Sequence, residues 1–421
     1  MHHDYPLITT MAVGLVLACI FALGAHRLRL PLIAGYLAAG VVIGPFTPGF
    51  VADQEIATQL AEMGVILLMF GVGLHFSISD LLSVRRIAVP GALVQMSVAT
   101  AAGTALALAL GWGLGAGLIF GLSLSVASTV VLLRALQDRD AIETPTGRIA
   151  VGWLVVEDLA MVLALVLIPA LAGPLGGEQA PVAADTAAVA SMGIGTTGAV
   201  LLLTGVKLAA FLIVMLTLGS RVIPWFLDKT ASTGQRELFR LSVLAIAIGT
   251  AWASSTIFDV SFALGAFFAG MLMAGSPLSA QALKDVLPFR DAFAVLFFVS
   301  VGMLFNPAVL WEDPLPVLAT VAIIIGVKSF AAYAIVRMFG HDRHTGAVIA
   351  ASLAQIGEFS FILIVLGVDL AIVPPEARDL VVAGALVSIV LNPLVFATLD
   401  RLYPPEPGPS PSRDGPAPAR H

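Results

Sequence analysis

Thirteen runs of about 17 to 25 predominantly apolar residues occupy most of this chain, and they leave it few ways to fold. They lie near residues 7–25, 31–47, 57–76, 87–110, 113–136, 148–172, 197–223, 238–256, 260–275, 289–310, 315–339, 345–368 and 379–400. Each run is long enough to cross roughly 30 Å of hydrocarbon, where a backbone without water must satisfy its own amides, so each is read as a transmembrane helix. The 421 residues are 59% hydrophobic and 11% charged, which excludes a soluble globule. A single cysteine, Cys19, allows no intrachain disulfide, and no Cys/His cluster points to a metal. The amino terminus lacks a cationic leader region and an A-x-A cleavage pattern, so the first run is expected to remain as a span.

Basic residues alternate between loops. Arg27 and Arg29, Arg85 and Arg86, Arg139 and Arg148, Arg221 and Lys229, Lys284 and Arg290, Arg337 and Arg343, and Arg401 fall in one set. The other set holds Arg378 and little else that is basic, while it carries Asp53, Glu55, Glu178, Asp185, Asp259, Glu312 and Asp313. The positive-inside rule makes the first set cytoplasmic, which places the amino terminus outside and the carboxyl terminus inside a bacterial plasma (inner) membrane.

Two adjacent carboxylates, Glu157 and Asp158, interrupt the sixth run. A carboxylate at the centre of a membrane helix costs roughly 2.5 to 3.5 kcal/mol on insertion scales, so two side by side point to a task. Successive helical residues project about 100° apart; if one looks into an interior cavity, the other looks toward a neighbouring helix. The plainer alternative is a helix held in place by structural ion pairs.

Gly35-Tyr-Leu-Ala-Ala39-Gly40 in the second run recurs as Gly265-Ala-Phe-Phe-Ala269-Gly270 in the ninth, and the segment 65–76 of the third run recurs as 294–305 in the tenth. Both matches share an offset of about 230 residues, and seven spans separate the copies, so the copies run through the membrane in opposite directions. Inverted repeats of this kind belong to alternating-access transporters. The first repeat covers about 7–172, a linker helix about 197–223, and the second repeat about 238–400. The same offset pairs the fifth run, with Ser125, Ser128 and Thr129 at mid-depth, and the twelfth, with Gln355, Gly357 and Glu358. Such sequences suit discontinuous helices, whose unwound backbone faces an ion while protein shields it from lipid. Glu358 also complements the dipole at the start of a half-helix.

Lys328 lies too deep in the eleventh run to reach the interface, and either pairs with Glu157 or Asp158 or competes with a cation for them. Glu62 and His75 in the third run, and Gln95 in the fourth, are read as structural or secondary polar groups. Residues 404–421, rich in Pro and Ser, are expected to form a disordered cytoplasmic tail beyond a transmembrane domain of residues 1–403. No G-x-G-x-x-G follows the last span, so a dinucleotide-binding domain is not expected on this chain.

Together, Leu32–Pro45, Gly64–Phe76, Ser128-Thr129, Glu157-Asp158, Leu296–Met303, Lys328 and Gln355–Phe359 resemble the Kef-type monovalent cation:proton antiporters, and most closely their YbaL-like branch. The resemblance covers about Pro6 to Tyr403. It implies an all-α homodimer of thirteen-span protomers with two crossed discontinuous helices and elevator-type exchange of K⁺, or Na⁺, for H⁺. It assigns the ion-carrying aspartate to Asp158, the crossing-helix hydroxyls to Ser128 and Thr129, and the membrane lysine to Lys328. Glu157 stands where relatives have Gln, Asn or Asp, and many relatives continue into a nucleotide-binding regulatory domain where this sequence stops, through truncation or by nature.

The resulting expectation is a transporter, not an enzyme, with no cofactor, no bound metal and no nucleic-acid partner. A carboxylate stripped of water holds a proton or a dehydrated cation but not both, which couples the two fluxes. A gated K⁺ channel would need a carbonyl-lined filter such as T-V-G-Y-G, which is missing from the sequence. An ion-coupled symporter of organic anions would need a basic substrate pocket, for which Lys328 alone is thin support.

Overall fold

The computed structural model describes residues 6–28, 30–75, 78–137, 139–142, 144–177 and 195–402, and every regular element among them is helical. The predicted tail at 404–421 lies outside the described residues. In chain order the helices are α1 (Pro6–Arg27), α2 (Leu32–Ile43), α3 (Gln54–His75), α4 (Ile78–Ala109), α5 (Leu114–Ser125), α6 (Thr129–Gln137) and α7 (Pro145–Leu171). They continue as α8 (Gly195–Val214), a π-helical turn (Met215–Gly219), α9 (Ser220–Ala231), α10 (Arg236–Phe258), α11 (Phe262–Ala274) and α12 (Ser279–Met303). The chain closes with α13 (Val309–Glu312), α14 (Pro314–Val321), a second π-helical turn (Ala322–Val327), α15 (Lys328–Met338), α16 (Arg343–Ser352), α17 (Glu358–Asp369) and α18 (Pro375–Leu402).

Among the described residues, nine helices are long and apolar enough to cross a membrane by length and composition. Four predicted runs differ from a single long helix, each for a local reason. The second and ninth give helices of 12 and 13 residues, because α2 is stopped by Gly44-Pro45 and α11 by Gly275-Ser276-Pro277. The fifth and twelfth are each split in two, as their polar residues led one to expect.

Some helix starts carry a side-chain cap. Thr144 accepts the Gly147 amide at 3.1 Å ahead of Pro145, the first residue of α7. Asp342 accepts the Thr345 amide at 2.7 Å and its hydroxyl at 2.8 Å to begin α16.

The helices pack in two groups. One joins α1, α2, α3, α10, α11 and α12; the other joins α4 to α7 with α14 to α18. In the first group the repeated glycines make the same contact twice with the partners exchanged. A Cβ on Gly40 of α2 would lie 2.8 Å from Gly302 Cα of α12, and one on Gly73 of α3 would lie 3.1 Å from Gly270 Cα of α11. Small-residue helix contacts of this kind let backbones approach where lipid supplies no hydrophobic drive to association.

Candidate functional site

The site forms where the two broken helices cross. α5 ends at Ser125, Val126 is extended (φ −102°, ψ 136°), and α6 starts at Thr129. Ser125 Oγ donates to Leu122 O at 2.7 Å, one of the last carbonyls of α5, and Ser123 Oγ bonds back to Ile119 O in the preceding turn at 2.9 Å. α16 ends at Ser352 and α17 starts at Glu358.

The breaks are stitched to each other by one amide. Ser128 N donates to Gln355 Oε1 at 2.8 Å, and Gln355 Nε2 donates to Ser128 O at 3.2 Å and to Ser352 O at 3.1 Å. The approach is close enough that a Cβ at Gly357 would lie 2.5 Å from Ser128 Cα, so only glycine fits there.

The adjacent acids of α7 diverge. Glu157 is fully buried and its Oε2 accepts the Ala127 amide at 2.8 Å, which ties α7 to the first break. Asp158 is 7% exposed, its Oδ2 accepts from Thr129 Oγ1 at 3.4 Å, and it lines a cavity of about 1210 Å³ that Glu157 does not reach. Among the described residues, Asp158 Oδ1 and Glu157 Oε1 are buried oxygens with no hydrogen-bond partner. A buried, unsatisfied carboxylate oxygen on a residue that lines a cavity, as on Asp158, is a candidate place for a ligand or a proton.

Glu358 lines the same cavity, and its Oε2 accepts from Ser128 Oγ at 3.4 Å. The fully buried Lys328 follows the second π-helical turn, where the extra residue per turn re-aims the side chains after it. Its Nζ donates to Gln355 O at 2.9 Å and interacts electrostatically with Glu157, while the ion pairs found among the described residues lie elsewhere, at Lys207–Asp259, Arg240–Asp285 and Arg290–Asp291.

Ser125, Ser128, Thr129, Glu157, Asp158, Lys328, Gln355, Gly357 and Glu358 are therefore brought together, although the chain separates them by up to 233 positions. Glu62 stays apart: it is exposed on α3 and does not line the cavity. His75 ends α3, and its side chain lies outside the described residues.

The cavity adds residues that sequence reasoning passed over. Its walls include Tyr36, which stacks on Phe298 with ring centroids 6.5 Å apart, the Arg290–Asp291 pair, and Arg139, whose guanidinium lies 4.0 Å from the centre of the Phe396 ring. Asn392 also lines it and donates from Nδ2 to Ala351 O at 3.0 Å, near the end of α16. A polar residue directly before Pro393 inside an apolar run was a signal that could have marked Asn392. The other wall residues carried no such signal, since their position depends on which helices meet.

Crossed broken helices around a buried acid define the class: a membrane ion exchanger of the antiporter fold. A solved sodium proton antiporter from Methanocaldococcus jannaschii shares the fold, with a TM-score of 0.63 over 93% of this chain and 97% of that one, at 16% sequence identity. Residues 13–399 match the family described as sodium/hydrogen exchanger, transmembrane, and the chain belongs to that family. An Escherichia coli (strain K12) protein described as "Putative cation/proton antiporter YbaL" is 58% identical over 401 residues, which are 95% of this chain and 70% of that protein. K(+) efflux antiporter 4 of Arabidopsis thaliana is 33% identical over 396 residues, 93% of this chain and 64% of the plant protein. The Kef-type resemblance read from the sequence therefore holds, and these relatives are transporters, not enzymes.

Proposed function

We propose that this protein exchanges a monovalent cation for protons across the membrane, with Asp158 as the shared carrier. The observation that carries the reading is Asp158 itself: its Oδ2 accepts the Thr129 hydroxyl, its Oδ1 is buried without a hydrogen-bond partner, and the residue lines a large cavity beside two helix breaks. A dehydrated cation and a proton compete for that carboxylate, so the loading of one requires release of the other. Thr129, Ser128 and Glu358 supply further oxygens within reach of the same wall. Glu157 is pinned to the Ala127 amide near Lys328 and serves the scaffold of the first break, which favours a one-for-one cycle.

K⁺ is the favoured cation and Na⁺ the alternative, because the plant relatives at 33% and 32% identity are named for K⁺ whereas the structural neighbour is named for sodium. The cavity is walled by helix ends next to Arg27, Arg139 and Lys284, the basic set of loops, so the positive-inside rule makes this an inward-open state. The group holding α5–α7 and α16–α18 then moves as the elevator against the glycine-packed group of α1–α3 and α10–α12. Thirteen crossings, two inverted repeats, an external amino terminus and a homodimer in the bacterial inner membrane complete the reading.

The test is Asp158→Asn in the full chain, reconstituted into liposomes with a pH-sensitive dye. Cation-driven proton movement is expected to vanish at unchanged protein insertion, because an amide neither binds nor releases a proton at physiological pH. Substantial residual exchange would sink the assignment.

A further inference from the structure

The two breaks are anchored in parallel ways, and one anchor lies outside the acid pair and its neighbours. At the second break, Lys328 of α15 donates to Gln355 O. At the first, Gln95 of α4 donates from Nε2 to Ser125 O at 3.0 Å. Ser125 and Gln355 are separated by the same offset of about 230 residues that relates the repeated segments, and both donors are fully buried. Gln95 is thus the first-half counterpart of the membrane lysine, with a neutral amide in place of the charge.

That amide is itself held. Trp153 Nε1 donates to Gln95 Oε1 at 3.2 Å, which fixes the amide with its NH₂ toward Ser125. Trp153 is completely buried on α7, one turn before Glu157, and its ring fills the space left by Gly91, one turn before Gln95 on α4. A side chain at Gly91 would collide with that ring. The unwound segment is therefore attached at three points: its first carbonyl, Ser125 O, to α4, its middle amide, Ala127 N, to α7 through Glu157, and its last residue, Ser128, to the second break through Gln355.

We propose that Gln95, oriented by Trp153, is a positioning residue for cation binding: it sets the path of residues 125–128 and so the aim of Ser128 and Thr129 at the cavity wall. The inference rests on the reading of Asp158 as carrier. With the segment held from its first residue to its last, Thr129 Oγ1 meets Asp158 Oδ2 at a fixed distance; without the Gln95 bond the start of the segment is free to turn about the remaining attachments at Ala127 and Ser128, and the hydroxyls lose their alignment. The charged anchor at the second break interacts with Glu157, whereas the amide anchor carries no charge and keeps its geometry whatever ion or proton is bound.

Gln95→Leu and Trp153→Phe, each in the full chain and reconstituted with the pH dye under K⁺ and Na⁺ gradients, test this. Gln95→Leu is expected to raise the KM for the cation by at least about fivefold, the factor that goes with one lost hydrogen bond, and to shift the pH of half-maximal exchange, while the maximal rate stays within about twofold. Trp153→Phe loses the orienting donor together with the part of the ring that packs on Gly91, and its KM is expected to rise by about twofold. A purely structural role would lower the maximal rate at unchanged KM and unchanged pH profile, and that result in Gln95→Leu overturns the proposal. If Gln95→Leu does not insert, Trp153→Phe decides by the same criterion. Asp158→Asn in the same assay keeps the two readings apart: a dead Asp158→Asn beside an unchanged KM in Gln95→Leu refutes the positioning role alone, whereas an active Asp158→Asn refutes the carrier.

Discussion

The first break and the second are laid out alike and held by different chemistry. At the first, the anchors are a neutral amide from Gln95 and a carboxylate from Glu157, and the half-helix leading to it, α5, begins at Gly113 with no side-chain cap. At the second, the anchor is the Lys328 ammonium, and the half-helix leading to it, α16, begins at a firmly capped Asp342. The difference teaches a division of labour. The first break presents the Thr129 hydroxyl to Asp158 and the Ser128 hydroxyl to Glu358, and the second brings a buried positive charge near Glu157, where an uncompensated acid would be costly.

The largest effect that can break this comparison is Lys328→Ala. Lys328→Ala takes a buried positive charge away from Glu157 together with the hydrogen bond to Gln355 O, and about 3–5 kcal/mol is expected for the acid left uncompensated, whereas Ser128→Ala loses two long hydrogen bonds, one to Glu358 and one from the Val131 amide, at about 1 kcal/mol or less each. The apparent Tm of the detergent-solubilised protein should fall much further for Lys328→Ala; equal values would mean that the lysine balances no acid. Next comes Gly357→Ala. Its new Cβ meets the Ser128 backbone at 2.5 Å, and that backbone is fixed by Gln355, so about 1–3 kcal/mol of strain is expected, together with lost exchange. A variant of wild-type Tm and wild-type rate would show that the crossing gives way freely.

A smaller effect is expected at the cap of α16. The Thr345 amide beside Asp342 holds its carboxyl below the usual carboxylate range, with the Thr345 hydroxyl adding to this. That contribution is present above about pH 4 and is lost as pH falls through the lowered folded value. Asp342→Ala should cost about 1 kcal/mol at neutral pH, and its Tm difference from wild type should shrink in acid. A difference that is flat with pH would mean the cap works without its charge. The smallest effect is sought at Glu157. A potential of 100 mV is worth roughly 2.3 kcal/mol per net charge moved, so a one-for-one cycle should ignore a valinomycin-clamped potential in Na⁺ medium in wild type and in Glu157→Gln alike. A strong voltage response in wild type that Glu157→Gln abolishes would make Glu157 a second proton carrier.

Much of this was legible in the chain because a bilayer imposes one-dimensional rules. Apolar length announces a span, and a charge within it is expensive enough to announce a task, so Glu157, Asp158, Lys328 and Glu358 could be picked out singly. The repeated glycine segments carried the symmetry, since close backbone approach tolerates few residue types. Polar clusters at Ser125–Thr129 and Gln355–Glu358 marked both breaks, because unwound backbone in lipid needs shelter and partners.

Direction and partnership were decided only by the tertiary structure. Composition could say that Glu157 and Asp158 point apart, yet not which one meets the cavity; that follows from how α7 is rotated against α5 and α6, with Ala127 taking Glu157 and Thr129 taking Asp158. Sequence placed Lys328 near the acids without revealing that its hydrogen bond goes to a carbonyl of the second break. Gln95 looked incidental until its two partners, 30 and 58 residues away, met on either side of it. A side chain's type is a local property, and periodicity along a helix limits where it can point; which of its atoms finds a partner is settled by helices that meet from distant parts of the chain.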